Sequence, residues 1–158
     1  MHHYIYQVSL EPIPPSCFLT AYFFEGRPDL LPIANTISDI ADCRQAKSSL
    51  GEWLTENRLG TLSQEQFTLT EDAKKRYFSG RYRFFRQAAK QLAEITEEQF
   101  LQAGEAENLL CDVNRRFNER YDVYFLGDDW LPISADTFFR SALSATPYYI
   151  GGVLDYQY

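Results

Sequence analysis

Residues 71–96 constrain this chain more than any other stretch, because they carry its strongest helical pattern. At their centre stands KKRYFSGRYRFFRQAAK, residues 74–90, with seven of the chain's fifteen lysines and arginines and five aromatic rings. Read along the chain, rings and cations interleave. Turned through about 100° per residue, they separate. Tyr77, Phe78, Tyr82, Phe84, Phe85, Ala88, Ala89 and Leu92 fall within about 160° of arc, and Ile95 extends that stripe. Lys75, Arg76, Arg83, Arg86 and Lys90 occupy a separate arc of about 100°, which also holds Asp72. Lys74 and Arg81 project from the apolar side, where their long stems can cover rings and carry charge outward.

This geometry predicts a core helix with an aromatic buried face and a basic back. It also makes the basic back a candidate docking stripe for an anionic partner. Phosphate backbone would meet all five cations, and such binding would weaken steeply with salt. An acidic protein surface fits equally well, including residues 97–129 of a second copy of this chain. The charge of the remaining residues favours protein. Residues 1–70 hold 8 acids and 4 bases, and residues 91–158 hold 12 acids and 4 bases, whereas 71–90 hold 2 acids and 7 bases. The net charge of −7 opposes any general affinity for nucleic acid or for an anionic membrane.

The ends of the chain read as strands. Tyr4, Tyr6, Val8 and Leu10 alternate with His3, Ile5, Gln7 and Ser9, a period of two. YYIGGVLDYQY, at 148–158, is an aromatic strand whose two glycines predict a bulge. Its Tyr148, Tyr156 and Tyr158 would share a face if no bulge intervened, which makes them candidate interface residues. The competing reading is pairing with Tyr4 and Tyr6 inside one sheet.

Between the ends, EPIPPS stops the first strand, and CFLTAYFF reads as a short second one. Leu30, Ile33, Ile37, Ile40 and Ala41 have helical spacing from Asp29 onward. A further helix is expected from Cys43 to Asn57, capped by Asp42, with Leu50, Trp53 and Leu54 buried. EQFTLT and YDVYFLG read as strands. AENLLCDVNRRFNERY reads as a helix with Leu109, Val113 and Phe117 aligned, and SADTFFRSAL as a helix capped by Ser134. Thr70 is the expected cap of the 71–96 helix. The fold class is therefore α+β: a single domain over 1–158, with a mixed or antiparallel sheet, terminal strands that are neighbours in it, and several packed helices.

Chemistry-bearing motifs are few. YFLGDDW runs an apolar strand into Gly127-Asp128-Asp129, and paired carboxylates at a strand end are how many phosphoryl-transfer enzymes hold Mg²⁺. The tripeptide resembles the metal-binding Gly-Asp-Asp turn of viral RNA-dependent RNA polymerases. The match covers three residues, and the chain is far too short for such an enzyme. Gly-Asp in a two-residue hairpin turn explains the same letters. Asp128 and Asp129 are thus the candidate metal ligands of an alternative reading, a metal-assisted phosphoryl-transfer or hydrolytic enzyme. His2 and His3 are the only histidines, so Ser-His or Cys-His nucleophile pairs have little to draw on. No GxSxG, GxGxxG or GxxxxGK[ST] occurs, and no motif calls for a cofactor.

Cys17, Cys43 and Cys111 are odd in number and far apart, which predicts reduced thiols in a cytoplasmic protein. CFLTAYFF is well short of the ~20 apolar residues a membrane span needs. The leading functional expectation is a small acidic binding or regulatory protein that acts through protein contacts rather than catalysis, with a second copy of itself among the candidate partners. The alternatives are the enzyme using Asp128 and Asp129, and a nucleic-acid binder using the stripe of 71–96.

Overall fold

The computed structural model describes residues 3–27, 30, 34–102, 104–117 and 123–157. Contacts divide them into two compact units, one drawn from 1–76 with 121–158 and the other from 77–120.

The first unit is a mixed sheet covered on both faces. Its strands are β1 (His3–Ser9), β2 (Thr36–Asp39), β3 (Gly60–Ser63), β4 (Gln66–Leu69), β5 (Val123–Leu126), β6 (Pro132–Ser134) and β7 (Pro147–Gln157). Among the described residues the order is β3-β4-β7-β1-β5-β6, with β2 paired to β7 beyond β4. The two terminal strands are neighbours, as expected, and run antiparallel: Ile5 opposes Leu154, and Tyr6 opposes Val153. Among the described residues, only β1 and β5 pair in parallel. The chain is α+β with a mixed sheet, as its sequence predicts.

The long strand β7 carries the bulge its glycines predict. From Tyr6 to Val8, β1 advances two residues, while β7 advances three, from Val153 to Ile150. The extra residue flips the side-chain alternation. Tyr156 therefore lies on one face with Ile5, Leu126 and Leu154, and Tyr148 on the other with Phe67.

The Tyr148 face is covered by two helices, α1 (Cys43–Glu56) and α5 (Ala135–Ser141). Each starts where a side chain accepts from an early backbone N–H. Asp42 accepts from Arg44 at 2.9 Å, and Ser134 accepts from Thr137 at 3.3 Å. Ala46, Leu50 and Leu54, four residues apart, turn the buried side of α1 to the sheet. Tyr6 donates its hydroxyl to the Ala46 carbonyl at 2.8 Å, and burial, with Tyr4 beside it, pushes its phenol above the ordinary range. From α5, Phe138 stacks on Phe125 with centroids 4.1 Å apart and meets Phe67 and Tyr148 edge-on or tilted. Each such buried ring contributes about 1.5–3 kcal/mol through apolar area alone.

The opposite face is covered by the proline-rich segment, and here the structure corrects two expectations. CFLTAYFF is not a strand: it forms 3₁₀ turns at Pro15–Cys17 and Ala21–Phe24. Local bonds such as Cys17 N–H to Pro14 (2.8 Å) and Phe23 N–H to Thr20 (3.1 Å) satisfy its backbone, so its apolar side chains are free to roof a sheet. Leu19 and Phe24 are buried against Ile5 and Tyr156. Nor is there a helix over 36–39, because these residues form β2, whose Ile37 opposes Tyr156. Two β-branched residues and an open edge on β7 outweigh the three-to-four spacing. The positions 29 and 31–33 of that expected helix lie outside the described residues.

One buried polar side chain ties this roof to the bulge. Gln7 Nε2 donates to the Cys17 carbonyl at 2.9 Å, and its Oε1 accepts from Leu19 N–H at 2.8 Å and Gly152 N–H at 2.9 Å. A Cβ on Gly152 would stand 2.4 Å from the Leu19 carbonyl oxygen, so the close approach of the roof requires glycine there.

The second unit is helical: α2 (Ala73–Glu94) from Tyr77 onward, α3 (Glu97–Gln102) and α4 (Glu105–Phe117). The acidic pairs fall in first turns, Glu97 and Glu98 in α3 and Glu105 and Glu107 in α4, where a helix dipole favours them. Helix α2 begins at Ala73, not at Glu71. Thr70 does not cap it directly; its hydroxyl lies 3.1 Å from Asp72 Oδ1, and Arg76 N–H donates to the Asp72 carbonyl.

Candidate interaction surface

The aromatic arc of α2 is only partly covered, which corrects the expected core helix. Beyond Arg76 only Ala88 is buried outright, while Tyr77, Phe78, Phe84 and Leu92 are half-buried. No sheet stands behind this part of the helix within its unit. Its neighbour there is α4: Arg116 places its guanidinium 4.4 Å from the Phe84 centroid, and Phe117 meets Phe85 edge-on at 6.2 Å. The far side of the arc stays in solvent, with Tyr82 61% and Phe85 46% exposed. On α4, Leu109 and Val113 are half-buried as aligned, whereas Leu110 and Phe117 are exposed, as are Phe100 and Leu101 on α3. A helix that covers one neighbour only cannot bury a 160° stripe.

The five cations of the stripe are all exposed, and the structure places them differently. Lys75 and Arg76 belong to the first unit. Arg76 is engaged: it pairs with Asp72 at 2.6 Å, one helical turn back. The hydrogen bond from Arg76 holds the Asp72 carboxyl below the usual aspartate range, and the same bond raises the Arg76 guanidinium. Arg83, Arg86 and Lys90 belong to the helical unit and share a face at spacings of three and four. Lys90 approaches Glu94 at 3.7 Å, while Arg83 and Arg86 have no acidic partner among the described residues. Of the pair that projects from the apolar side, Lys74 donates to the Arg140 carbonyl and Arg81 lies over the Tyr77 ring at 5.6 Å.

Acidic residues of the same unit also gather at one place. An open cleft of about 450 Å³ there is lined by Glu94, Glu105 and Asp112 among others. The unit thus presents exposed rings, two arginines that meet no acid among the described residues, and an acidic cleft.

The remaining candidates fare otherwise. Tyr148 and Tyr156 are buried, on opposite faces of the sheet, and are not interface residues. Tyr148 stacks on Phe67 at 5.3 Å and accepts from Leu143 N–H at 2.7 Å, and Tyr156 meets Tyr124 edge-on at 5.7 Å. The bulge separates them, and the strand is central because β1, β2 and β4 all pair with it. Tyr158 lies outside the described residues. Asp128 and Asp129 sit in the loop joining β5 to β6, whose strands pair Leu126 with Pro132. This hairpin loop has five residues rather than two. Trp130 N–H donates to the Gly127 carbonyl at 3.0 Å, and Asp129 Oδ1 accepts from Leu131 N–H at 3.2 Å. Among the described residues, no group of three or more His, Cys, Asp or Glu side chains is placed to hold a metal ion.

The structure also assembles a feature that no local pattern shows. Phe18, Tyr22, Phe23 and Trp130 line an open cleft of about 510 Å³ with Glu25 and Arg27. Residues 18–27 and 130 are more than a hundred positions apart, so only tertiary structure brings them together. No helix of the described residues is long and apolar enough to cross a membrane. Comparison with known protein families, with curated proteins and with solved structures finds no match for this chain. The functional reading therefore rests on these surfaces alone.

Proposed function

We propose that this is a small binding protein that acts through protein contacts, and that the partner of its helical unit is a second copy of the chain. The observation that carries the reading is the set of six large apolar side chains exposed on α2, α3 and α4: Tyr82, Phe85, Phe100, Leu101, Leu110 and Phe117. Exposed apolar groups gathered on one small unit, rimmed by charge, mark association surfaces rather than ordinary solvent-facing helix. Charge selects the partner. Among the described residues Arg83 and Arg86 meet no acid, while α3 and α4 carry Glu97, Glu105 and Glu107 in their first turns. One unit that holds both signs can pair with its twin about a two-fold axis, each copy supplying cations to the other's acids. The three cysteines are free thiols, which accords with a reducing compartment, and we place the protein in the cytoplasm.

Sedimentation equilibrium tests the reading. The wild-type chain is expected to populate a dimer that weakens with salt. Tyr82→Ser/Phe85→Ser and Arg83→Glu/Arg86→Glu are expected to sediment as folded monomers. A wild-type chain that stays monomeric at all concentrations refutes self-association. Strong, salt-dependent RNA or DNA binding lost in Arg83→Glu/Arg86→Glu would instead make the stripe a phosphate-binding surface.

A further inference from the structure

The aromatic cleft of the first unit is independent of the helical surface. Tyr22 stands in the 3₁₀ turn Ala21–Phe24 with 77% of its area in solvent, and Trp130 is 43% exposed. Trp130 takes a left-handed backbone conformation, φ 57°, which a bulky residue rarely adopts. The loop bonds of Trp130 N–H to Gly127 and of Leu131 N–H to Asp129 accompany that turn. The result puts the indole against Phe23, centroids 5.2 Å apart and planes tilted by 41°. Solvent exposure alone gives no reason to hold two large rings open in this way.

The chemistry of the walls points to a class of ligand. An aromatic face attracts cations through its quadrupole, and weakly hydrated organic cations gain most because they lose little water. The cleft already shows this interaction: the Arg27 guanidinium lies 4.8 Å from the Phe23 centroid. On the wall itself Glu25 and Arg27 balance, and the exposed Asp128 and Asp129, immediately before Trp130 in its loop, add two acids beside it. That balance opposes a phosphate and favours positive charge. The volume, about 510 Å³, suits a small ligand or one side chain.

We infer that this cleft binds an organic cation, a quaternary ammonium or guanidinium group, against the rings of Tyr22, Phe23 and Trp130, with Glu25, Asp128 and Asp129 supplying the countercharge. The Gly-Asp-Asp turn then serves as the acidic rim of a cation site through its charge, without ligating a metal. The cation comes either as a free small molecule or as the side chain of a peptide.

The chain has two tryptophans, and Trp53 lies elsewhere, on α1 against Phe139, so fluorine-labelled tryptophan provides a reporter and an internal control. Choline chloride and an Arg-containing tripeptide amide are titrated separately, with sodium chloride at matched ionic strength. The Trp130 resonance is expected to shift saturably while that of Trp53 stays put. Tyr22→Ala, at an exposed position, is expected to weaken binding about threefold to tenfold. Asp128→Asn/Asp129→Asn is expected to weaken it by a similar factor. Tighter binding of choline identifies a free cation as the source, and tighter binding of the tripeptide identifies a side chain. The inference is overturned if neither cation moves Trp130, if sodium chloride moves it equally, or if Tyr22→Ala leaves the affinity unchanged. It is also overturned if adenosine monophosphate binds more tightly than either cation.

Discussion

Replacing Gln7 by Leu tests the central joint of the fold. Gln7 is buried, and its amide satisfies two backbone N–H groups, of Leu19 and Gly152, and one carbonyl, of Cys17. Leu has nearly the same volume, so the substitution removes the bonds with little change in packing. The Cys17 carbonyl belongs to an exposed residue and recovers water. Leu19 and Gly152 are buried, and their donors do not. Each orphaned buried donor costs about 1–3 kcal/mol, so two cost about 2–6 kcal/mol. The added apolar contact offsets about 1 kcal/mol, which leaves an expected loss near 3 kcal/mol. A domain of this size has about 5–15 kcal/mol in total, so the loss is easily measured. Urea unfolding should show a lower midpoint with an unchanged slope, because the surface exposed on unfolding stays the same. Amide exchange at Gly152 should quicken beyond the global change, since its own acceptor is gone. A loss below about 1 kcal/mol, with Gly152 still protected, would show that the bulge and the roof find other partners, and the reasoning would fail.

Gly152→Ala should destabilise the first unit by about 1–3 kcal/mol in the same assay, because its Cβ meets the Leu19 carbonyl at 2.4 Å. Ser134→Ala removes the acceptor for Thr137 N–H and should cost about 1 kcal/mol, with Ser134→Asp retaining the cap. Phe138→Ala should cost about 3–5 kcal/mol, since its ring meets Phe67, Phe125 and Tyr148 at once. Asp72 titrates below an ordinary aspartate because Arg76 bonds its charged form. Its contribution is therefore complete above about pH 4 and disappears as pH falls through its own lower midpoint. Carboxyl chemical shifts should show that midpoint, and Arg76→Gln should raise it toward the ordinary value.

Much of the fold is legible locally. Asp42 and Ser134 announce α1 and α5, because a cap is a bond between neighbours. Period two marks β1, and Gly151-Gly152 marks the bulge in β7. The acidic first turns of α3 and α4 are equally local. The candidate sites are less legible. Tyr148 and Tyr156 look alike in sequence and lie on opposite faces, because one bulged residue between them inverts the alternation. CFLTAYFF has the composition of a strand, yet local 3₁₀ bonds satisfy its backbone, and it serves as a roof. The aromatic cleft needs residues 18–27 beside residue 130, and no local pattern encodes that approach.

The chain alone determines where helices and strands start, which residues are apolar, and that the cations of 71–96 lie apart from its rings. These follow from bonds and rotations within a few residues. Tertiary structure alone decides what covers each apolar face. It buries both sides of β1 and β7 between the proline-rich roof and α1 with α5, and it leaves Tyr82 and Phe85 of α2 in solvent. The physical reason is that periodicity fixes the direction of a side chain, while burial depends on a second surface arriving from elsewhere in the chain. For α2 that second surface is α4 on one side only, and the rings left over are the basis for proposing an interface.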